Sequence, residues 1–227
     1  MWLNDSLRIL FKKTMPRLVA ISDTHSRHED IPALPPGDIL VHAGDATRRG
    51  DISEVSALNA WLGTLDFKYK ILIAGNHDWL FARSPALARS LITNALYLED
   101  ESAEIEGLKF YGTPWQPRFF NWAFNLDRGQ PMREKWSRIP NDTDILISHG
   151  PPHGILDQVD PKWSGRSESA GCQDLLERVS VLKPRVHIFG HIHSGYGQLQ
   201  QAGTLFVNAS ICDEQYSPVN LPIVIDI

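Results

Sequence analysis

The chain has 227 residues, 42% of them hydrophobic and 22% charged, and a formal net charge of −5 at pH 7, which is typical of globular proteins. This slight acidity argues against a protein that wraps a nucleic acid polymer, because such binding needs clustered basic residues to displace counterions from many phosphates. No apolar run approaches the roughly 18 residues of a membrane-spanning helix, and the presence of only two cysteines favours reduced thiols in a cytoplasmic protein.

Short β-branched runs, each followed by a polar turn, alternate with helical stretches along the chain. This alternation predicts a layered α/β protein. The predicted strands cover residues 17–21, 39–43, 70–74, 145–148 and 186–189, with a hairpin around Gly107 at 103–111 and three or four further strands within 196–227. Residues 1–15 precede these elements and are predicted to be an N-terminal extension to a single domain over 16–227.

Two amphipathic helices are predicted between the strands. Residues 53–65 place their apolar side chains on one helical face, with Ser53 as the expected N-cap. Residues 172–183 repeat this pattern, and Pro184 is expected to end the second helix. Each helix can therefore pack its apolar face against a sheet.

Each of the five predicted strands is followed by side chains that can bind metal ions. They are Asp23 and His25 after the first strand, Asp45 after the second, Asn76, His77 and Asp78 after the third, His149 after the fourth, and His191 and His193 after the fifth. Ligands of open α/β sheets bind beyond the carboxyl ends of the strands, so residues far apart in sequence can converge there. One such segment could be an ordinary turn, but five at successive strand ends predict a shared metal site.

The order of these segments resembles that of the calcineurin-like metallophosphoesterases: Asp-x-His, Gly-Asp, Gly-Asn-His-Asp/Glu, a lone His and Gly-His-x-His. The surrounding segments GDATRRG (44–50), SHGPP (148–152) and FGHIHSGYG (189–197) are similar to the brain metallophosphoesterase-domain-containing subfamily, which is like the class III cyclic nucleotide phosphodiesterases. The resemblance extends from about residue 16 to the C-terminus. It implies a four-layer α/β/β/α sandwich of two mixed β-sheets flanked by helices.

The resemblance also implies the ligands of two divalent metal ions. Asp23, His25 and His193 would hold the first ion, Asn76, His149 and His191 the second, and Asp45 would bridge both. The charge of two such cations exceeds that of Asp23, Asp45 and a bridging hydroxide, so the site stays net positive, which suits a phosphate ester. The ligand set is compatible with Mn, Fe, Zn, Co or Ni, and Mn is favoured.

The reaction implied by the resemblance is hydrolysis of small phosphodiesters such as cyclic nucleotides, including 2′,3′-cyclic forms. The hypothesis is in-line attack by a hydroxide that bridges metals about 3.5 to 4 Å apart. His77 is predicted to act as general acid, since it neighbours Asn76 and is not needed as a ligand. Asp78 is predicted to orient His77 and favour its protonated form. The chain is thus predicted to be a metal-dependent phosphoric ester hydrolase.

Four further side chains are candidates for substrate contact. Arg48 and Arg49 follow the Gly-Asp turn and could contact a second phosphate or a ribose, or could form a solvated basic turn. His153 lies in the loop after the fourth strand and could touch the substrate. Trp115 belongs to an aromatic segment at 114–124 that could stack on a nucleobase or form the small core of a cap.

Alternative functions stay open at this point. Phosphoprotein phosphatases of the superfamily carry Asp-Arg-Gly where this chain has Arg48-Arg49-Gly50, which counts against that activity. A metal-free scaffold protein would have lost ligands, and this chain has lost none. A nucleotide-binding regulatory protein with low residual phosphoesterase activity would carry the same motifs. The expected partner is a small phosphoester or nucleotide, with neither a nucleic acid polymer nor a membrane involved.

Overall fold

The computed structural model describes residues 15–165 and 167–227. The strands in this part of the chain are β1 Arg17–Ile21, β2 Ile39–His42, β3 Tyr69–Leu72, β4 Leu96–Tyr97, β5 Glu101–Ile105, β6 Leu108–Thr113, β7 Gln116–Pro117, β8 Asn125–Leu126, β9 Ile145–Ser148, β10 Gln158–Val159, β11 Glu168–Ser169, β12 Val186–Phe189, β13 Gly197–Gln201, β14 Thr204–Asn208 and β15 Ile223–Asp226. The helices are α1 Ile52–Thr64, α2 Trp79–Arg83, α3 Pro85–Leu91, α4 Gln130–Trp136, α5 Pro161–Ser164 and α6 Gln173–Leu182. Most of the predicted N-terminal extension, residues 1–14, lies outside the described residues, so its boundary stays a prediction.

Most strands belong to two mixed sheets. The first has the order β15-β1-β2-β3-β4, in which β15 is antiparallel to β1 and the other neighbours are parallel. The second has the order β13-β14-β12-β9-β6-β5, with antiparallel pairs at its two edges and parallel pairs between them. The strands that precede the candidate ligands are therefore β1, β2 and β3, side by side in one sheet, and β9 and β12, neighbours in the other.

Alternate residues of the central strands pack into different layers. Leu18 and Ala20 of β1 lie in the core between the two sheets, whereas Val19 and Ile21 pack with helices α1, α2 and α3. In the second sheet, Leu146 of β9 packs with α4 and α6. Strands buried on both faces are typical of parallel sheets covered by helices. The predicted α/β/β/α sandwich is confirmed.

Helix α1 begins one residue earlier than predicted, and its N-cap is Asp51 instead of Ser53. Asp51 Oδ1 accepts a hydrogen bond from Glu54 N at 2.9 Å, and Glu54 Oε2 accepts one from Asp51 N at 3.4 Å. This reciprocal pair is a capping box. Glu54 also accepts hydrogen bonds from the backbone N–H groups of Arg48 and Arg49, at 3.2 and 2.9 Å. The start of α1 therefore fixes the loop that carries the two arginines.

The other elements that were predicted agree closely with the structure, whereas helices α2 to α5 and the two-residue strands were not predicted. Helix α6 ends at Leu182, and Lys183 follows in a left-handed conformation just before Pro184. The β5–β6 hairpin turns at Gly107, whose φ of 78° favours glycine. The C-terminal region forms three strands, of which β13 and β14 extend the second sheet and β15 returns to the first. Within the described residues, the helices are too short or too polar to cross a lipid bilayer.

His187 lies fully buried in β12, and burial lowers its pKa to about 3. Its Nε2 is 2.7 Å from Ser148 Oγ, and that hydroxyl donates its proton to the Gly150 carbonyl at 2.8 Å. Since a hydroxyl has one proton, His187 donates through Nε2–H. Its Nδ1 has no hydrogen-bond partner among the described residues, so protonation at Nδ1 would place an unpaired charge in the core.

This burial predicts a pH-dependent stability. The folded-state pKa of His187 is below the unfolded value of about 6.5, so the unfolded chain binds more protons in acid, and stability is lost as the pH falls below about 6.5. We expect the free energy of unfolding to fall between about pH 7.5 and pH 5 by about 2 kcal/mol more in the wild type than in His187→Gln. Urea titrations of both proteins in chelator measure the difference. Equal losses would show that His187 does not titrate on unfolding.

Candidate metal centre

The candidate ligands meet where the carboxyl ends of β1, β2, β3, β9 and β12 come together. Three groups of side chains each bring one potential ligand atom per residue within 4.8 Å of the others. The groups are Asp23, His25 and His193; His25, Asp45 and His77; and Asp45, His149 and His191. Asn76 joins the third group, since its Oδ1 is 3.0 Å from His149 Nε2. All seven residues that were predicted as ligands therefore lie in one continuous cluster.

Asp45 lies at the centre of this cluster. Its Oδ2 is 3.9 Å from His25 Nε2, and its Oδ1 is 3.4 Å from His149 Nε2. Oδ1 also accepts a hydrogen bond from the backbone of His77 at 2.7 Å. The φ of Asp45 is 51°, in the left-handed region that few non-glycine residues adopt. The two carboxylate oxygens thus face different histidines.

Two of the imidazoles are oriented by backbone carbonyl groups. His193 Nδ1 is 2.9 Å from the carbonyl oxygen of Asp213, and His149 Nδ1 is 3.0 Å from that of Ala43. Each contact leaves Nε2 facing the cluster. Hydrogen bonds of this kind fix the tautomer and the ring orientation of metal-binding histidines.

Asp23 is fully buried and uses its two carboxylate oxygens differently. Oδ2 accepts hydrogen bonds from the backbone of His191 and from the hydroxyl of Ser210, both at 2.9 Å. Oδ1 has no hydrogen-bond partner among the described residues and lies 3.4 Å from His193 Nε2 and 4.0 Å from His25 Nε2. A buried carboxylate oxygen between imidazole nitrogens fits a cation, because a buried anionic oxygen needs a compensating charge.

Burial and the neighbouring carboxylates shift the histidine pKa values in opposite directions. Burial lowers the pKa of His25 and of His191 to about 3, which keeps both rings neutral. Burial also acts to lower the pKa of His149, but Asp45, Asp23 and the Ala43 carbonyl together outweigh it and raise this pKa to about 9. Burial also opposes protonation of His193, but the facing Asp23 carboxylate raises the pKa of this ring. Metal binding would have to displace these protons, since an imidazole binds a metal ion as the neutral ring.

Two glycines allow the loops to approach the ligands closely. A Cβ atom at Gly190 would lie 1.9 Å from Asp23 Oδ2 and 2.3 Å from Ser22 Oγ. A Cβ atom at Gly75 would lie 2.3 Å from Asp45 Oδ1. Both distances are far below van der Waals contact, so any side chain at these positions would displace a candidate ligand.

We expect Gly190→Ala to lower the free energy of unfolding by about 1–3 kcal/mol, because the added methyl group overpacks a buried site. The same change should weaken metal binding, since Asp23 must move. Urea unfolding in chelator and calorimetric titration with Mn²⁺ measure the two effects. Gly63→Ala is the matched control, because its nearest neighbour is the side-chain amide of Asn94. If the two variants behave alike, the close approach at Gly190 is unimportant.

His77 lies beside the cluster with one ring nitrogen facing it. Its Nδ1 donates to the carbonyl oxygen of Arg48 at 2.8 Å, and its Nε2 is 4.0 Å from Asp45 Oδ2. The ring stacks on Trp122, with centroids 4.2 Å apart and planes at 27°. It also packs edge-on against His25 at 4.6 Å. This geometry leaves Nε2 available to a bound substrate.

Asp78 has a different role from the one predicted. Its buried carboxylate accepts hydrogen bonds from the backbone N–H groups of Ala46, Thr47 and Gly75 and from the Thr47 hydroxyl, at 3.3, 2.9, 2.8 and 2.6 Å. These bonds tie the loop after β2 to the loop after β3. The ring of His77 is held by the Arg48 carbonyl instead, so Asp78 supports the site and does not orient the ring directly.

The two candidate arginines lie in different surroundings. The guanidinium carbon of Arg48 is 5.7 Å from the ring centroid of Tyr216, which itself packs against His25. Arg49 lines a cleft together with Arg83 of α2. Arg48 is therefore the better placed of the two to contact a substrate at the cluster.

The other two substrate candidates have their contacts elsewhere. His153 is 44% exposed in its side chain and lies 3.7 Å from Asp157. Trp115 donates to Asp100 at 3.1 Å, and the ammonium group of Lys135 lies 4.1 Å from its ring centroid. Trp115 thus contacts Asp100 and Lys135. Substrate contact by either His153 or Trp115 stays a prediction.

Three aromatic rings that were not predicted individually surround the cluster. They are Tyr216 against His25 at 4.6 Å between centroids, Trp122 against His77 at 4.2 Å, and Phe119 against His191 at 6.4 Å. The aromatic density of residues 114–124 was the available signal for two of them. No local pattern marks Tyr216, which reaches the site from a turn in which its own φ is 60°.

Comparison with known proteins adds three findings. Residues 16–195 match the family model described as calcineurin-like phosphoesterase. The chain is 46% identical over 235 residues to metallophosphoesterase domain-containing protein 1 of Homo sapiens, and to the protein of that name in Mus musculus, with 93% of this chain and 71% of each relative covered. The crystal structure of phosphopantetheinyl hydrolase from Mycobacterium tuberculosis has a similar fold, with a TM-score of 0.57 at 16% identity, covering 90% of this chain and 92% of that one.

Proposed function

The chain belongs to the calcineurin-like phosphoesterase family and is a phosphoric ester hydrolase, and we propose that it is a dinuclear-metal-dependent phosphodiesterase. The proposed substrates are small phosphodiesters such as cyclic nucleotides, including the 2′,3′-cyclic forms. The observation that carries the proposal is the position of Asp45, whose two oxygens face His25 on one side and His149 on the other. A single carboxylate between two groups of ligands supports two ions sharing one bridge.

The proposed ligands are those implied by the resemblance. Asp23, His25 and His193 hold one ion, Asn76, His149 and His191 hold the other, and Asp45 contacts both. The buried Oδ1 of Asp23, which accepts no hydrogen bond among the described residues and faces His193 and His25, supports this assignment. The carbonyl groups that orient His149 and His193 support it as well. Mn²⁺ is favoured, since it accepts a mixture of oxygen and imidazole ligands. When bound, the ions supply Lewis acidity at the phosphoryl group and lower the pKa of the attacking water.

His77 is proposed as the general acid. Because Nδ1–H is used in the hydrogen bond to the Arg48 carbonyl, the proton available for transfer is the one on Nε2. The stacked ring of Trp122 restricts rotation of the imidazole, which keeps Nε2 directed at the site. The nearby guanidinium of Arg48 is proposed to bind a phosphoryl or ribose oxygen of the substrate.

A metal and substrate panel tests this proposal. The chelated protein is loaded separately with Mn, Fe, Zn, Co or Ni and assayed on bis-p-nitrophenyl phosphate, p-nitrophenyl phosphate and 2′,3′-cyclic AMP. We expect the diesters to be hydrolysed faster than the monoester, with the highest rates in Mn. Hydrolysis of the monoester alone would contradict a phosphodiesterase.

A nucleotide-binding regulatory protein with low residual phosphoesterase activity is the second candidate. The aromatic rings of Tyr216, Trp122 and Phe119 around the cluster favour it, because such rings stack on nucleobases. Titration with AMP and GMP discriminates between the two. Tight binding of either nucleotide, together with very slow turnover of every ester, would support the regulatory function.

A further inference from the structure

A groove lies close to the metal centre, on the side of Trp122. It has a volume of about 450 Å³ and is lined by Trp79, Arg83, Phe120, Asn121 and Trp122. Trp122 connects this groove to the centre, since its ring also stacks on His77 at 4.2 Å. The ring of Trp122 therefore lies between the groove and the proposed general acid.

Aromatic rings lie around this groove. Phe120 is 78% exposed, yet its backbone has a left-handed φ of 47°, and its carbonyl oxygen accepts a hydrogen bond from Asn125 at 3.2 Å. Trp79 and Trp122 are partly buried and expose part of their rings. Partly exposed aromatic rings provide stacking surfaces for an aromatic ligand.

The groove also carries a positive charge. The guanidinium carbon of Arg83 lies 4.1 Å from the ring centroid of Trp79, and Arg83 forms no ion pair within the part of the chain that the structure describes. An adjoining cleft of about 550 Å³ has Arg83 and Arg49 among its lining residues. Arg89 of α3 provides a contrast, since it stacks on Tyr97 but pairs with Glu101 at 3.2 Å. An unpaired guanidinium next to aromatic rings suits a ligand that is both aromatic and anionic.

We infer that this groove binds the leaving group of the substrate, and that this leaving group is a nucleotide whose base stacks on the aromatic rings and whose terminal phosphate contacts Arg83. The inference rests on the proposed phosphodiesterase function and extends its substrates to dinucleotides with a 5′ phosphate. Water adds to the bridging phosphorus as the bond to the 3′ oxygen breaks. That oxygen takes the proton of His77 Nε2, and the proton released by the attacking water passes to solvent, from which His77 is protonated again.

Three substrates test the inference with the Mn-loaded enzyme: the dinucleotide pApA, its analogue ApA without the 5′ phosphate, and bis-p-nitrophenyl phosphate. We expect kcat/KM for pApA to exceed that for ApA at least about tenfold, the range of a charge-assisted hydrogen bond. Arg83→Gln should lower kcat/KM for pApA by a similar factor, whereas kcat/KM for the other two substrates should stay within about twofold of the wild-type values. Arg89→Gln is the matched control, and it should leave kcat/KM for all three substrates close to the wild-type values.

A binding measurement separates failure of this inference from failure of the proposed function. In calorimetric titrations of the chelated protein, Arg83→Gln should weaken AMP binding about tenfold without changing the binding of adenosine. The nucleotide groove is rejected if the wild type hydrolyses bis-p-nitrophenyl phosphate but has no higher kcat/KM for pApA than for ApA. It is also rejected if Arg83→Gln lowers kcat/KM for all three substrates by the same factor. In both cases the proposed phosphodiesterase function stands. If no substrate is hydrolysed at full metal loading, the proposed function fails, and the AMP titration still decides whether Arg83 binds a nucleotide.

Discussion

Asp45→Asn is expected to lower kcat/KM for bis-p-nitrophenyl phosphate by about 10³-fold, because it removes the charge shared by the two proposed metal ions. Asparagine preserves the shape of the side chain and can still accept the His77 N–H that Asp45 Oδ1 accepts at 2.7 Å. The fold should therefore survive, and the loss should appear in metal binding. Elemental analysis after Mn loading is expected to show fewer than two ions per chain.

Asp157→Asn is the matched control for this experiment. Asp157 is also buried, but its Oδ2 accepts hydrogen bonds from the backbone of Gly154 and Gly171, at 2.9 and 3.0 Å. We expect this variant to keep the metal content of the wild type. An Asp45→Asn protein that retained both its metal and its activity would contradict a bridging role for Asp45.

His77→Ala is expected to lower kcat for 2′,3′-cyclic AMP by a factor on the order of 10² or more, with metal content nearly unchanged. The loss should be smaller for bis-p-nitrophenyl phosphate, because the departure of nitrophenolate depends less on protonation than the departure of a ribose oxygen does. Steady-state kinetics on both substrates and elemental analysis of the same samples measure these effects. A loss of metal that matched the loss of activity would mean that His77 acts through the ligands and is not the acid.

The strands and the convergence of the candidate ligands could be predicted from the sequence, because both depend on local patterns. Each of the five β-branched runs ends at a motif, and parallel strands bring these ends to one edge. Asp23 and His193 are 170 positions apart in the chain, yet their side chains come within 3.4 Å. The topology of two facing sheets is sufficient to explain that contact.

The N-cap of α1 shows where local patterns become ambiguous. Asp51 and Ser53 both belong to residue types that cap helices well. The choice is decided by Glu54, which reaches the backbone of Asp51 and also that of Arg48 and Arg49. Contacts with the preceding loop therefore select Asp51, and they cannot be read from propensity alone.

Contacts around the site depend still more on tertiary structure. The adjacency of His77 and Asp78 suggested that one orients the other, but consecutive side chains need not point the same way. The Asp78 carboxylate turns to the loop after β2, and the Arg48 carbonyl reaches the ring of His77. Tyr216 contacts His25 across 191 positions of sequence, and no periodicity or motif indicates such a pairing.

Anomalous diffraction from crystals loaded with Mn²⁺ tests the central claim most directly, since it locates each ion relative to the seven side chains. We expect two peaks about 3.5 to 4 Å apart on either side of the Asp45 carboxylate, one near Asp23 and His193 and the other near Asn76 and His149. A fully loaded crystal without a peak within coordination distance of Asp45 would contradict the account.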